Sequence, residues 1–439
     1  MREMKESGIE WIGRIPINWN CKRLKQILVE RNEKNSPIKS NNLLSLSIER
    51  GIFPYSEKTG GGNKAKENFE NYKLAYENDI VLNSMNVVVG AVGLSKYFGC
   101  ISPAYYALYC RNNNYNINYY NNLFQATAFQ KSLWGLGNGI LVKESDNGKL
   151  NTIRMKIPMD KLNNVVLPIP PKDEQEKIST YLDKKISEID NVIEKTKETI
   201  EDYKKYKQSI ITKIITKGIN ADYEKKSTNI EYIKEINKEY NVIDFKYLLK
   251  ENMQYGANES GEPFDENLPR YIRITDIDEN GKLRTDNKLS LSEEVAEKYI
   301  LKNGDILFAR SGATVGKSFI YDEKVGRSAF AGYLIKATVN NNILPKFVYY
   351  YTLSSIYEIW KNGIFIQATI QNIGAEKYMN MPIIYIKNIK EQEKIILYLD
   401  KKCEEIDKLV KNKQKIIEEL EQYKKSLIYE YVTGKKEVV

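Results

Sequence analysis

The segment SGATVGKS at residues 311–318 comes nearest to a reactive motif in this chain. A phosphate-cradling P-loop needs G-x-x-x-x-G-K-[ST] with a strand before it and a helix after it. Here Ser311 occupies the first glycine position, and the SFIYDE that follows reads as another strand. The segment is therefore expected to be a β-hairpin whose Arg310, Ser311, Thr314 and Lys317 suit contact with phosphates or base edges. A nucleotide-dependent enzyme built on residues 312–318 is the catalytic alternative. Other enzyme signatures are missing. No proline precedes an aspartate, there is no G-x-G-x-x-G turn, and SPAYY at 102–106 lacks the second proline of an amino-methylating tetrapeptide. Histidine is absent altogether, which removes the commonest general base, the usual metal ligand and every Ser-His or Cys-His pair. An enzyme is thereby less expected, with catalysis by carboxylates, lysine, tyrosine or a carboxylate-held Mg²⁺ still open.

Binding chemistry is better represented. KTGGGNKAKEN at 58–68 puts Lys58, Asn63, Lys64 and Lys66 around three glycines, where a backbone can approach a phosphate chain closely. Lys143 and Arg154 lie in a second basic stretch, and Arg273 and Arg327 add to the candidates in the latter half. Residues 1–171 carry 22 basic and 14 acidic side chains, whereas 218–387 carry 22 and 23. The first part thus holds most of the net charge of +9, the kind of excess that a polyanion-binding domain shows. The 32 tyrosines offer stacking surfaces. Four cysteines without CxxC spacing fit free thiols in a reducing cytoplasm. The polar start and the short, interrupted apolar window 80–94 predict neither a signal peptide nor a membrane span, and that window reads as buried strands.

What must position these residues is written twice. Residues 174–218 and 391–435, both opening EQEKI, agree at 20 of 45 positions without a gap. Acidic residues begin each segment, as suits a helix N-terminus. Apolar residues then recur at spacings of three and four: Ile178, Leu182, Ile189, Ile193, Ile200 and Ile210 in the first copy, Ile395, Leu399, Ile406, Val410, Ile417 and Leu427 in the second. Tyr203, Tyr206 and Tyr423 extend the same stripes. Each helix would reach roughly 60 Å, and a lone stripe of that length needs a partner. Its own twin is the simplest one, in a coiled coil.

The segments between the helices echo one another more faintly. NCKRLKQIL at 20–28 resembles NVIDFKYLL at 241–249, and ENDIVLNS at 77–84 resembles NGDILFAR at 303–310. Short β-rich runs separated by Gly/Asn turns predict an α+β fold: two mixed, β-rich domains at 1–168 and 220–385, and long helices at 169–219 and 386–439, related by an internal pseudo-two-fold repeat.

SGIEWIGRIPINW at 7–19, LPIPPKDEQEKI at 167–178 and IKEQEKI at 389–395 resemble the specificity subunit of type I restriction-modification systems, and the likeness runs along the whole chain. The second half lacks the tryptophan-rich opening. The resemblance implies that 1–168 and 220–385 are target-recognition domains, each reading half of a bipartite double-stranded DNA target, and that antiparallel helices fix the gap between halves. It implies two methyltransferase subunits as partners and, where the system restricts, two motor-nuclease subunits. S-adenosylmethionine, ATP and Mg²⁺ would then belong to those subunits, leaving this chain non-catalytic and without a cofactor of its own, in the cytoplasm and away from any membrane. A type IIB-like enzyme using the same scaffold is the neighbouring alternative.

Overall fold

The two echoing phrases each set a fully buried run between polar turns, and each forms the middle of a sheet. The computed structural model describes residues 2–59, 68–138, 143–144, 150–151, 156–220, 222–278, 281–312, 314–366 and 372–438. The chain divides into two units, Met1–Thr196 with Lys415–Val439, and Lys197–Gln414.

In the first unit the framework strands are β1 (Asn20–Arg23), β2 (Leu28–Arg31), β3 (Ile80–Asn83), β4 (Val92–Leu94) and β5 (Tyr105–Cys110). Helix α1 (Ile117–Gln125), β6 (Val166–Ile169) and the long helix α2 (Lys172–Lys217) follow. The main sheet is antiparallel in the order β2-β5-β3-β4, and β6 pairs with β1. The buried strands expected across 80–94 are β3 and β4.

The second unit repeats the plan. Its framework is β7 (Asn241–Asp244), β8 (Gln254–Tyr255), β9 (Ile306–Ala309), β10 (Ser318–Ile320), β11 (Leu334–Ala337), α3 (Pro345–Thr352), β12 (Pro382–Tyr385) and the long helix α4 (Ile389–Val432). The sheet order β8-β11-β9-β10 is again antiparallel throughout, and β12 pairs with β7. The fold is the duplicated α+β architecture that the sequence predicts. Among the described residues, no helix is long and apolar enough to cross a membrane.

Side chains repeat as faithfully as strands. Before each central strand a buried aspartate accepts from the backbone three residues back, Asp79 from Tyr76 N and Asp305 from Lys302 N, both at 2.8 Å. At the start of each long helix a fully buried glutamine ties three backbone groups together. Gln175 Nε2 donates to Pro170 O and Asn114 O, and its Oε1 accepts from Asn116 N. Gln392 Nε2 donates to Ile386 O and Asn342 O, and its Oε1 accepts from Leu344 N. Helix start, preceding strand and the loop before α1 or α3 are thereby fixed together, which gives the repeated EQEKI a physical reason. The next residue pair is matched too. Trp19 Nε1 donates to Glu174, which Arg2 also holds, while in the second unit Tyr240 lies near the equivalent Glu391. Burial foremost, then Glu391, pushes the Tyr240 hydroxyl far above its ordinary range.

Within each unit the two long helices run side by side. In the first, the Tyr181 and Tyr431 rings lie 4.6 Å apart and Lys424 Nζ reaches Asp190 at 2.6 Å, so rising numbers on α2 meet falling numbers on α4. In the second, the equivalent pair Lys207–Asp407 closes at 2.7 Å. These ion pairs are half open to water, so their contribution is small. Lys424→Ala should change stability by less than about 1 kcal/mol in a denaturant melt. Apolar packing holds the helices instead. Ile189, Ile193 and Leu427 are buried in one cluster, with Ile417 packed against it. Ile395 and Leu399 are buried in the other, with Ile210 against it, while Ile200 and Ile406 are buried and Val410 is half-buried.

The stripe does more than pair the helices. Ile178 and Leu182 share a core with Leu82, Leu108 and Phe124, and Ile395 and Leu399 share one with Phe308, Phe347 and Tyr351. Full burial of such a leucine contributes roughly 1.5–3 kcal/mol. Tyr206 and Tyr423, by contrast, are solvent-facing, because they stand at the margin of the stripe.

Candidate nucleic-acid interface

The 311–318 segment is the hairpin expected, since β9 pairs directly and antiparallel with β10 and a strand rather than a helix follows the turn. The P-loop arrangement, which requires a helix N-terminus behind the turn, is therefore not formed. Arg310 leaves the end of β9 with its backbone held on both sides: its N–H donates to Tyr333 O at 3.0 Å, and Ile373 N donates to its carbonyl at 2.8 Å. Its guanidinium lies 4.9 Å from the centre of the Tyr255 ring, within cation–π range. Tyr255 is anchored in turn, its hydroxyl accepting from Ala375 N at 3.0 Å. Ser311 bridges to Asn372, whose buried Oδ1 has no hydrogen-bond partner among the described residues. Tyr333 beside them is 61 % exposed. Thr314 and Lys317 are half-buried, Thr314 accepting from Lys317 N within the turn.

The other predicted cations fare differently. The Arg273 side chain donates to Asp276 and to Asn287 O within its own loop, and Arg327 forms a two-pronged pair with Glu293. No carboxylate among the described residues pairs with Arg310 or Lys317. In the first unit Lys58 lies 5.2 Å from the Tyr55 ring centre, and Arg50 stacks on Phe53 at 4.1 Å. Lys143 sits in a short strand, Lys143–Glu144, paired with Leu150–Asn151. Asn63, Lys64, Lys66 and Arg154 lie outside the described residues.

Tyr255, Tyr333 and Asn372 were not among the residues expected. No local signal marks them, because the sheet gathers them from positions 255, 310, 333 and 372. The cysteines are chemically quiet. Burial pushes Cys110 up to about 12 and Cys403 up to about 11, and raises Cys21 and Cys100 as well. The site is thus equipped for recognition by stacking and hydrogen bonding.

The chain is a duplicated α+β scaffold with an arginine–tyrosine edge on one of its sheets. Residues 267–422 match the type I restriction modification DNA specificity domain. The chain is 26 % identical over 287 residues to the type I restriction enzyme MjaVIII specificity subunit of Methanocaldococcus jannaschii, covering 62 % of this chain. The match likewise spans 62 % of the length of that relative. A chain from a solved structure described as the structural basis of complex assembly and conformational transition of the type I R-M system superposes with a TM-score of 0.68. That likeness covers 96 % of this chain and 99 % of the other at 12 % identity, so it is one of fold. The chain is thus similar to type I restriction-modification specificity subunits, in sequence over part of its length and in fold over nearly all of it.

Proposed function

We propose that this chain is the DNA-recognition subunit of a type I restriction-modification complex, reading a bipartite target with one part assigned to each unit. The observation that carries the reading is a repeated scaffold with exchanged tips. Sheet order, buried glutamine, capping aspartate and interhelical ion pair recur, while the side chain at the end of the central strand is Arg310 in one unit and Ser84 in the other. Such a duplication keeps geometry constant and lets two half-sites differ. The basic excess of residues 1–171 supplies sequence-independent attraction to phosphates, and the polar tips select bases. Catalysis, with its S-adenosylmethionine, ATP and Mg²⁺, is assigned to partner subunits.

The helices carry a matching pair of docking patches for two methyltransferase subunits. In the first unit Val192 and Tyr423, each beside the Asp190–Lys424 pair in sequence, are 49 % and 52 % exposed. In the second, Leu409 and Tyr206 flank Asp407–Lys207 and are 43 % and 58 % exposed. These are the equivalent positions of the repeat. Charging one patch, as Val192→Glu with Tyr423→Glu, should weaken one docking event at least about tenfold while leaving the melting temperature in place. Native mass spectrometry should then show one methyltransferase copy where the unaltered chain takes two.

The decisive experiment is reconstitution with type I methyltransferase subunits, followed by single-molecule sequencing of the methylated DNA. A discontinuous motif bearing methyladenine in both parts is the expected result. Methylation without sequence preference, or a continuous motif, would overturn the reading.

A further inference from the structure

We propose that position 310 sets specificity in the second unit, with Arg310 donating its guanidinium fork to a guanine in the major groove. The proposal rests on the DNA-reading function above and deepens it to a base and a residue.

The repeat supplies the comparison. The scaffold bond beneath this position is the same in both units: Ile373 N to Arg310 O at 2.8 Å, and Ile157 N to Ser84 O at 2.9 Å. The side chain on that scaffold is not. Ser84 is fully buried, and its hydroxyl is spent on Ala104 O at 2.7 Å. Arg310 instead lies against Tyr255, and no carboxylate among the described residues pairs with it. Equal support beneath a fully buried side chain in one unit and a half-buried one in the other marks a position that can vary without disturbing the fold.

The geometry favours a base over a phosphate. A phosphate contact needs only charge within reach, which a flexible lysine supplies. Here the backbone is pinned through both its N–H and its carbonyl, and the planar group is laid on a ring that is itself anchored by Ala375 N. That arrangement aims a rigid fork before DNA arrives, and it lowers the ordering cost of a two-bond contact to guanine O6 and N7. Ser311, joined to Asn372 by a backbone bridge next to Arg310, provides a polar group for a neighbouring base. Lys317, on the same hairpin, is placed for the backbone. In the first unit the equivalent serine has no free group for a base, so this guanine contact belongs to one half-site alone.

The test uses the full chain assembled with methyltransferase subunits, comparing unaltered protein with Arg310→Ala, Arg310→Lys and Tyr255→Leu, with methylated motifs read by single-molecule sequencing. Arg310→Ala should relax one guanine position in one half-site, cutting discrimination there roughly ten- to hundredfold. Arg310→Lys should relax it partly, and Tyr255→Leu should weaken the same position and no other. Replacing that guanine with 7-deazaguanine, which removes N7 and keeps O6, should weaken recognition by the unaltered protein partly and leave the alanine variant unaffected. An unchanged motif for Arg310→Ala would overturn the proposal while the DNA-reading function stood. Uniform loss across all sequences, restored by Arg310→Lys, would make Arg310 a phosphate anchor and overturn it equally. If the unaltered complex methylates without sequence preference, the parent function fails and this assignment falls with it.

Discussion

Gln392→Leu is expected to destabilise the second unit by about 3 kcal/mol, a large effect for one polar residue of a kind usually found at surfaces. Leucine fills nearly the same space, so the loss is one of hydrogen bonding. The replacement strands Leu344 N–H and the carbonyls of Ile386 and Asn342, which the amide holds at 2.8, 2.7 and 3.0 Å. A buried group left without a partner costs about 1–3 kcal/mol, and partial access of water to Asn342 and Leu344 moderates the sum. Gln392→Glu separates this cause from packing. It keeps the acceptor but buries a carboxylate whose folded pKa must rise above its unfolded value. Its stability should therefore be greatest at low pH and fall as the pH climbs through that raised pKa. Hydrogen exchange resolved by segment is the suitable measurement, because two units need not unfold as one. Faster exchange should appear in 343–352 and 383–396 while 116–125 and 166–178 stay protected. Gln175→Leu should give the opposite pattern.

That reciprocal pair also shows what a sequence conveys. The EQEKI phrase, the three-and-four spacing and the faint strand echoes were enough to locate both helices and the repeated strands, since each signal is local and periodic. The glutamine's role was not legible, because its partners lie across loops that periodicity does not describe. Tyr240 illustrates a second kind of loss. The second unit lacks a tryptophan at its opening, yet Tyr240 stands in register with Trp19 and lies near the equivalent glutamate. The physical requirement is a buried aromatic with one donor, which two residue types satisfy. Tyr206 and Tyr423 mark a third. Apolar spacing assigns them to the stripe, but spacing cannot say where a stripe ends, and both face solvent. The interface was half legible: hairpin and arginine follow from SGATVGKS and its flanks, whereas the ring beneath the arginine comes from 55 positions earlier in the chain.

Gly434→Val should cost the first unit about 3 kcal/mol, through backbone and packing together. Gly434 follows the C-terminal end of α4 with φ of +70°, the left-handed conformation that ends a helix and that a β-branched residue adopts only under strain. A Cβ there would lie 2.5 Å from Pro16 Cδ and 3.0 Å from the Trp19 ring. Neither neighbour yields easily, since Pro16 is in a strand and Trp19 is fully buried with its indole bonded to Glu174. The strain should therefore reach the start of α2 through Trp19. It should appear as faster exchange at 13–19, 172–178 and 427–433. The equivalent helix end in the second unit gives the control. Gly218, φ +81°, would bring a Cβ to 2.6 Å from the Tyr240 hydroxyl, the far end of a side chain that can tilt away. Gly218→Val should thus be milder, nearer 2 kcal/mol. Equal losses at the two sites would mean that the helix terminus alone carries the strain, and that the aromatic–glutamate contact on which each long helix is seated does not.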